Sequence, residues 1–408
     1  MLKLEQMLKY VSEHNDFYKK RIKEYGITNP LDITQWPVLS RKELQENRYN
    51  MFSDGGKSDY LHQNLRRQTS SGSSGTPVTV YWNNLDYYAS NLCLWRKRMQ
   101  YYGISPLDKF VNFTLNSFNA RDNKQILYRQ YSSNELSINV SLIQEFKQYI
   151  DILNLLEAYQ PKWLYVQPFV LEKLYVAYQK LGAKPPVSIM YIESVGEILT
   201  RAFQQKASDF FGVPVANMYG SEEMNGIAYE CPYHQMHVIS DNVYLEVSSS
   251  YSNTGSAIIT NLKNKTMPLI RYAQNDDILF NNLSRPCKCG SMDPVISIIK
   301  GRASESIKIN EDLELNSLLL MEMIAEVNNQ YADIIINYSF EYSKKGKKLT
   351  CYIALQSIRA NWFDSVKSSI FQIYNTKTNN NIDITFDIVR YIPNCNANVK
   401  HRNFKIVD

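Results

Sequence analysis

The chain has 408 residues, 44% of them apolar and 21% charged, and its 45 lysines and arginines against 40 aspartates and glutamates leave a net charge of +5. That length fits about two to three domains, and the composition is that of a globular chain rather than a disordered one. No apolar run approaches the roughly 18 residues of a membrane span, and the N-terminus MLKLEQMLKYVSEHND mixes charge throughout, with no signal-peptide core. The mild basicity does not by itself imply nucleic-acid binding, so the expectation is a cytoplasmic protein with no nucleic-acid partner and no membrane span.

In chain order, the first marked feature is the Ser/Gly stretch TSSGSSGTPV at 69–78, followed by the strand-like VTVYW. Tyr88, Leu92, Trp95, Met99 and Tyr102 then recur at steps of three and four. This spacing predicts an amphipathic helix with those residues on its apolar face, Gly103 at its end, and Arg96, Lys97 and Arg98 on a solvated edge. KFVNFTL (109–115), KWLYVQP (162–168), VSIMYIES (187–194) and VPVANMYG (213–220) read as strands, with helices over 144–159 and 200–211. Strands alternating with helices predict an α/β domain with mixed or parallel sheets. Past residue 300 the pattern changes. Segment 333–356 reads as two strands about a Lys/Gly turn, Asn361 as the cap of a helix whose Trp362, Val366, Ile370 and Ile373 share a face, and ITFDIVRYI (384–392) as a last strand before a basic tail. A small α+β domain beginning near Lys300–Gly301 is expected.

Four segments carry candidate chemistry. Small residues at 69–78 allow backbone amides to approach a phosphate, although a flexible linker has the same composition; the absence of the GxxxxGK[ST] pattern excludes a P-loop. MYGSEEMNGIAYEC (218–231) sets an aromatic and adjacent carboxylates at a strand end, suited to magnesium beside a nucleotide or to a solvated turn. PLIRYAQNDD (268–277) offers a carboxylate for ribose hydroxyls or an ordinary polar turn. KGRASESIKIN (300–310) reads as a hinge or a turn.

Taken in this order and spacing, the segments resemble the adenylate-forming superfamily, most closely its phenylacetate–CoA ligase branch with the capsular-polysaccharide-biosynthesis relatives. The resemblance runs over residues 60 to 408. It implies a large N-terminal domain (1–300) with mixed β-sheets flanked by helices, and a small mobile α+β C-terminal lid (301–408). It also implies activation of an aryl or acyl carboxylic acid by ATP to an acyl-adenylate with release of pyrophosphate. Transfer to a thiol follows, with coenzyme A, a pantetheinylated carrier protein or an amine as acceptor; a homodimer and a degenerate binding module remain further readings. Carried onto this chain, the family pattern gives Ser70, Ser71, Gly72, Ser73, Ser74, Gly75 and Thr76 to the phosphates, and Gly196 and Glu197 to the adenine pocket. Tyr219, Gly220 and Ser221 form the aromatic motif, with Tyr219 on the adenine. Glu223 holds Mg2+, Asp276 takes the ribose, Arg302 marks the hinge and Lys400 stabilises charge on the α-phosphate. The chain departs from the pattern at Glu222, where a hydroxyl residue is usual, and at Ser304, in place of a hinge aspartate. Val399 stands where a glycine usually precedes the lysine, which leaves Lys405 as a competitor to Lys400.

Cys231, His237, Cys287 and Cys289 form a separate group. Three thiolates and an imidazole suit a closed tetrahedral structural zinc site, with His234 as an alternative fourth ligand; buried free cysteines near a histidine are the plainer reading. Cys93 and Cys351 are expected to be small apolar fillers.

Overall fold

The computed structural model describes residues 2–70, 77–114, 126–143, 146–249, 252–302, 306–308, 314–331, 334–355, 362–379, 384–390 and 404–407. The fold is mixed α/β, as the alternation of strands and helices predicts, and it divides into two compact units. One comprises Met1–Leu107 with Ala216–Ile299, the other Asp108–Val215 with Lys300–Asp408. Among the described residues no helix is long and apolar enough to cross a membrane.

In the first unit the helices Leu2–His14, Asp16–Glu24 and Arg41–Asn47 precede a hairpin, Arg66–Thr69 against Thr79–Trp82, and the long helix Asn84–Tyr102. Ser40 and Glu43 form a reciprocal capping box that fixes where the Arg41–Asn47 helix starts. The sheet of this unit runs Val243–Val247, Thr254–Asn261, Tyr272–Asn281, Val295–Arg302, Met236–Val238, Asn225–Glu230 and Val215–Ser221. Its core includes Trp36, Trp82, Leu39, Met224, Ile259 and Tyr272.

The Asn84–Tyr102 helix corrects the sequence reading. Asn83 caps its start and Gly103, at φ 64°, ends it, but Tyr88, Leu92 and Met99 are more than half exposed. The buried side is instead Ser90, Cys93, Leu94 and Arg98. Polar groups are accommodated there because each finds a partner: Lys97 lies 2.7 Å from Asp293, and the Arg98 guanidinium sits 4.4 Å from the centre of the Trp95 ring. Charge neutralised in place makes a buried face look solvated in sequence.

In the second unit, Tyr191–Val195, Trp163–Val166, Phe110–Thr114 and Glu135–Asn139 form a parallel sheet, with Tyr128–Gln130 antiparallel at its edge. The expected strand from 187 begins later, since Ile189 N–H bonds the Pro186 carbonyl in a turn and Val187 is fully exposed. Helices Phe146–Tyr159, Pro168–Leu181 and Arg201–Phe211 belong to the same unit. One sheet face is apolar, with Val111, Phe113, Leu136, Ile138, Leu164, Val166 and Ile192 in a continuous core. On the other face the register aligns Ser137, Asn112, Tyr165 and Glu193 in a polar row across four strands.

The C-terminal part of this unit is a sheet ordered Thr385–Val389, Lys348–Leu355, Ile335–Ser343, Phe404–Val407, with helices Ser317–Gln330 and Phe363–Lys377. Two details differ from expectation. Trp362 occupies the helix N-cap with no side-chain cap bond and is 41% exposed, so it stands apart from the buried Val366, Ile370 and Ile373; Asn361 lies outside the described residues. The basic tail also contributes a strand, Phe404–Val407, parallel to Ile335–Ser343, because Phe404 fills the small core.

Candidate functional site

The serine stretch is anchored at its base. The Ser70 N–H donates to the Val78 carbonyl at 2.8 Å, and the Val78 N–H returns a bond to Ser70 Oγ at 2.9 Å, which closes the hairpin mouth. Ser71, Gly72, Ser73, Ser74, Gly75 and Thr76 lie outside the described residues. Ser70 itself is buried, and Arg41 Nη2 donates to its Oγ at 2.9 Å.

Arg41 continues to the second motif, with Nη1 3.7 Å from Glu223 Oε1. The Tyr272 hydroxyl donates to the same oxygen at 3.1 Å. Burial, reinforced by the neighbouring Glu223 charge, pushes the Tyr272 phenol far above its ordinary value and keeps it a donor. Glu223 is 3% exposed whereas Glu222 is exposed, so the adjacent carboxylates separate into one buried and one solvated group. The turn that separates them depends on Gly220: a Cβ there would stand 2.4 Å from the Asn225 carbonyl oxygen, where the Val215–Ser221 and Asn225–Glu230 strands fold back through a bulge.

On the same strand, the Tyr219 hydroxyl donates to Asp276 Oδ2 at 2.6 Å, and Ser221 Oγ lies 3.4 Å from Gln274 Oε1. Arg271, within the ribose motif, has a structural role: at φ 51° its guanidinium reaches the Trp36 carbonyl at 2.6 Å and Glu246 at 3.2 Å. Ser70, Tyr219, Gly220, Ser221, Glu223 and Asp276 therefore share one unit. Gly196 and Glu197 follow the Tyr191–Val195 strand in the other, with Gly196 at φ 81° turning the chain. Arg302 closes the Val295–Arg302 strand; Ser304 and Lys400 lie outside the described residues. Lys405 is exposed in the Phe404–Val407 strand, in register with Glu341.

Sequence reasoning missed Arg41 and the Tyr272 hydroxyl. The only local signal for Arg41 was the Ser40–Glu43 capping box, which marks a helix start and puts the arginine in its first turn.

The Cys231, His237, Cys287 and Cys289 ligand atoms lie within 4.8 Å of one another. Gly290, at φ 85°, lets the Cys287–Ser291 segment turn back on itself, with Gly290 N–H on the Cys287 carbonyl and Cys287 N–H on the Ser291 carbonyl. His237 Nδ1 lies 3.0 Å from the Asp293 carbonyl, to which its N–H donates. That bond leaves the Nε2 lone pair toward the cysteines, 3.3 Å from Cys289 Sγ. Burial holds His237 below its ordinary value and pushes the Cys231 thiol up to about 12. For Cys289 burial acts upward too, but bonds from the Ser291 backbone and the neighbouring cysteines outweigh it and lower the thiol. His234 is drawn away to Glu230, 2.9 Å from its carboxylate. With Zn–S near 2.3 Å and Zn–N near 2.0 Å, tetrahedral ligands stand about 3.5–3.8 Å apart, so the donor set fits zinc with small adjustments. Cys93 and Cys351 are buried away from this group, as expected of fillers.

No family model matches the sequence. No curated protein matches it either. Solved structures do. A 2-hydroxyisobutyryl-CoA ligase in the postadenylation state, in complex with R3-HIB-AMP, gives a TM-score of 0.78 at 15% identity, covering 100% of this chain and 88% of that one. A benzoate CoA ligase from Burkholderia xenovorans LB400 gives 0.53 at 14% identity, covering 82% and 67%. The adenylation domain of a carboxylate reductase from Mycobacterium chelonae gives 0.52 at 12% identity, covering 82% and 56%. The chain therefore has the fold shared by these CoA ligases and adenylation domains.

Proposed function

We propose that the chain is an adenylate-forming acid–thiol ligase. It would join a carboxylic acid to AMP with loss of pyrophosphate and then pass the acyl group to a thiol, with coenzyme A as the acceptor. The observation that carries this reading is the convergence, in one unit, of Ser70 at the mouth of the serine stretch, the buried Glu223 and the Tyr219–Asp276 pair.

In the first step the acid's carboxylate oxygen attacks the α-phosphorus and pyrophosphate leaves. Both reactants are anionic, so the barrier falls only where positive groups face the developing charge. The loop amides and hydroxyls would hold the outer phosphates, and Asp276, oriented by Tyr219, would accept from the ribose hydroxyls. Glu223 would hold Mg2+, which supplies charge neutralisation on the phosphates. We assign the α-phosphate contact to Lys400, within a lid spanning 301–408. The competing Lys405 is committed to a strand. The four-ligand Cys/His group would hold a structural zinc, since it leaves no open position for catalysis.

The test is pyrophosphate release with ATP, Mg2+ and a panel of hydroxylated, plain aliphatic and aryl acids, with and without coenzyme A. Acid-dependent release followed by thioester formation is the expected result. Release without thioester would redirect the second step to a carrier protein or an amine, and no release from any acid would refute the ligase.

A further inference from the structure

We propose that Arg41 is a positioning residue of the nucleotide site, coupling the mouth of the serine stretch to the metal-holding carboxylate; the inference rests on the ligase reading above. Arg41 touches both parts, through Nη2 to Ser70 Oγ at 2.9 Å and Nη1 to Glu223 Oε1 at 3.7 Å. Its own side chain is 17% exposed and that of Glu223 3%. An ionised carboxylate this buried is strongly disfavoured without a nearby positive charge. The guanidinium supplies that charge and, being a rigid planar fork, addresses two acceptors at once; a lysine ammonium would bring one point charge on a flexible stem.

The geometry also divides the work between the two carboxylate oxygens. Arg41 and the Tyr272 hydroxyl both address Oε1, and among the described residues no hydrogen bond reaches Oε2. Oε2 is thus the atom left to a cation. The Arg41 contact is an ion pair longer than a hydrogen bond, so it orients the carboxylate without occupying the second oxygen. Ser70 receives the other end of the fork while its Oγ also accepts from Val78 N–H, so Arg41 braces the residue from which the phosphate-holding stretch departs. Its position at the start of the Arg41–Asn47 helix, fixed by the capping box, makes that brace rigid.

The expected signature is a loss of metal–nucleotide affinity that spares the acid. For Arg41→Ala, the Mg2+ concentration for half-maximal pyrophosphate release and the KM for ATP should rise by about tenfold or more, the loss expected when a charge-assisted bond is removed. The KM for the acid should stay within about twofold of wild type. Arg41→Lys, which keeps the charge but not the fork, should recover part of the Mg2+ affinity. Ser70→Ala, which removes only the Ser70 end of the brace, should raise the KM for ATP more than the Mg2+ requirement. Should the alanine variant fail to fold, the lysine and Ser70 variants carry the same comparison. An Arg41 variant that folds and turns over with wild-type Mg2+ and ATP dependence, changed only in thermal stability, overturns the proposal and leaves the ligase standing. A wild-type protein that neither binds Mg2+–ATP nor releases pyrophosphate overturns both.

Discussion

Removing the zinc proposed for the Cys231, His237, Cys287 and Cys289 group should loosen one small part of the molecule rather than unfold it. Strand pairing already sets His237 against Val295, and the Val238 N–H bonds the Pro294 carbonyl, so the long connection between the two halves of the group is closed without zinc. What the ion adds is closure of the short span from Cys287 to Val295. With the loop entropy growing as (3/2)RT ln n, a span of about eight residues corresponds to about 2 kcal/mol. For a unit of this size such a loss lowers the melting temperature by about 4–8 °C. The assay is elemental analysis of protein purified without chelator, then melting and amide exchange before and after removal with a thiol-directed mercurial and a zinc indicator. One equivalent of zinc is expected, with faster exchange confined to 285–294 after removal. Cys231→Ser should reproduce the metal-free state without the reagent. Less than about half an equivalent in untreated protein, or unchanged exchange at 285–294 on removal, would refute the closed-site reasoning.

Three further outcomes are expected. Lys400→Ala should lower the adenylation rate by about 100-fold or more, as loss of a charge aimed at the reacting phosphate does, while Lys405→Ala stays near wild type; single-turnover pyrophosphate release ranks them, and the reverse order would move the lid lysine to 405. Gly220→Ala places a Cβ 2.4 Å from the Asn225 carbonyl oxygen, an overlap the backbone must relieve at a cost of about 1–3 kcal/mol, with weakened ATP binding because Glu223 lies on the turn that shifts. Unchanged urea midpoint and nucleotide affinity would show that the turn is not constrained. Glu43 tests charge in the Arg41–Asn47 helix: partial burial pushes its carboxyl up, but bonds from Ser40 and the Arg21 guanidinium, 2.6 Å away, outweigh that and hold it below 4.5. Its contribution is therefore complete above pH 4.5 and lost as pH falls through the lowered folded value. Glu43→Gln should lower the urea midpoint at pH 7 and converge with wild type in acid; an equal gap at both would exclude the ionised pair.

The fold was legible where one physical constraint dominated. Strands such as Phe110–Thr114 and Trp163–Val166 announce themselves because a parallel sheet with a buried apolar face needs short β-branched and aromatic runs, and Gly103 marks a helix end because the left-handed turn there costs other residues more. The direction in which a helix faces was not legible for Asn84–Tyr102. Its exposed side carries Tyr88, Leu92 and Met99, and its inner side carries a lysine paired with Asp293 and an arginine over the Trp95 ring. Periodicity counts apolar residues; it does not see a partner brought from nearly two hundred residues away.

The same distinction separates the candidate site residues that sequence reasoning named from Arg41, which it missed. Glu223 and Tyr219 sit in a short motif set by a strand end and the tight turn after it, and Asp276 in a short motif within the Tyr272–Asn281 strand, so chain neighbours betray them. Arg41 lies 29 residues before Ser70, in a helix whose sequence speaks only of capping, and its relation to Glu223 exists only after the Leu39–Tyr272 bridge and the Leu39 N–H to Arg271 carbonyl bond have brought that helix beside the sheet. A buried carboxylate nevertheless implies such a group: at 3% exposure Glu223 needs a compensating charge, and the positive residue that supplies it must come from an element packed beside the turn that carries it. The electrostatic demand is readable from the carboxylate, while the identity of the residue that meets it is a property of the fold.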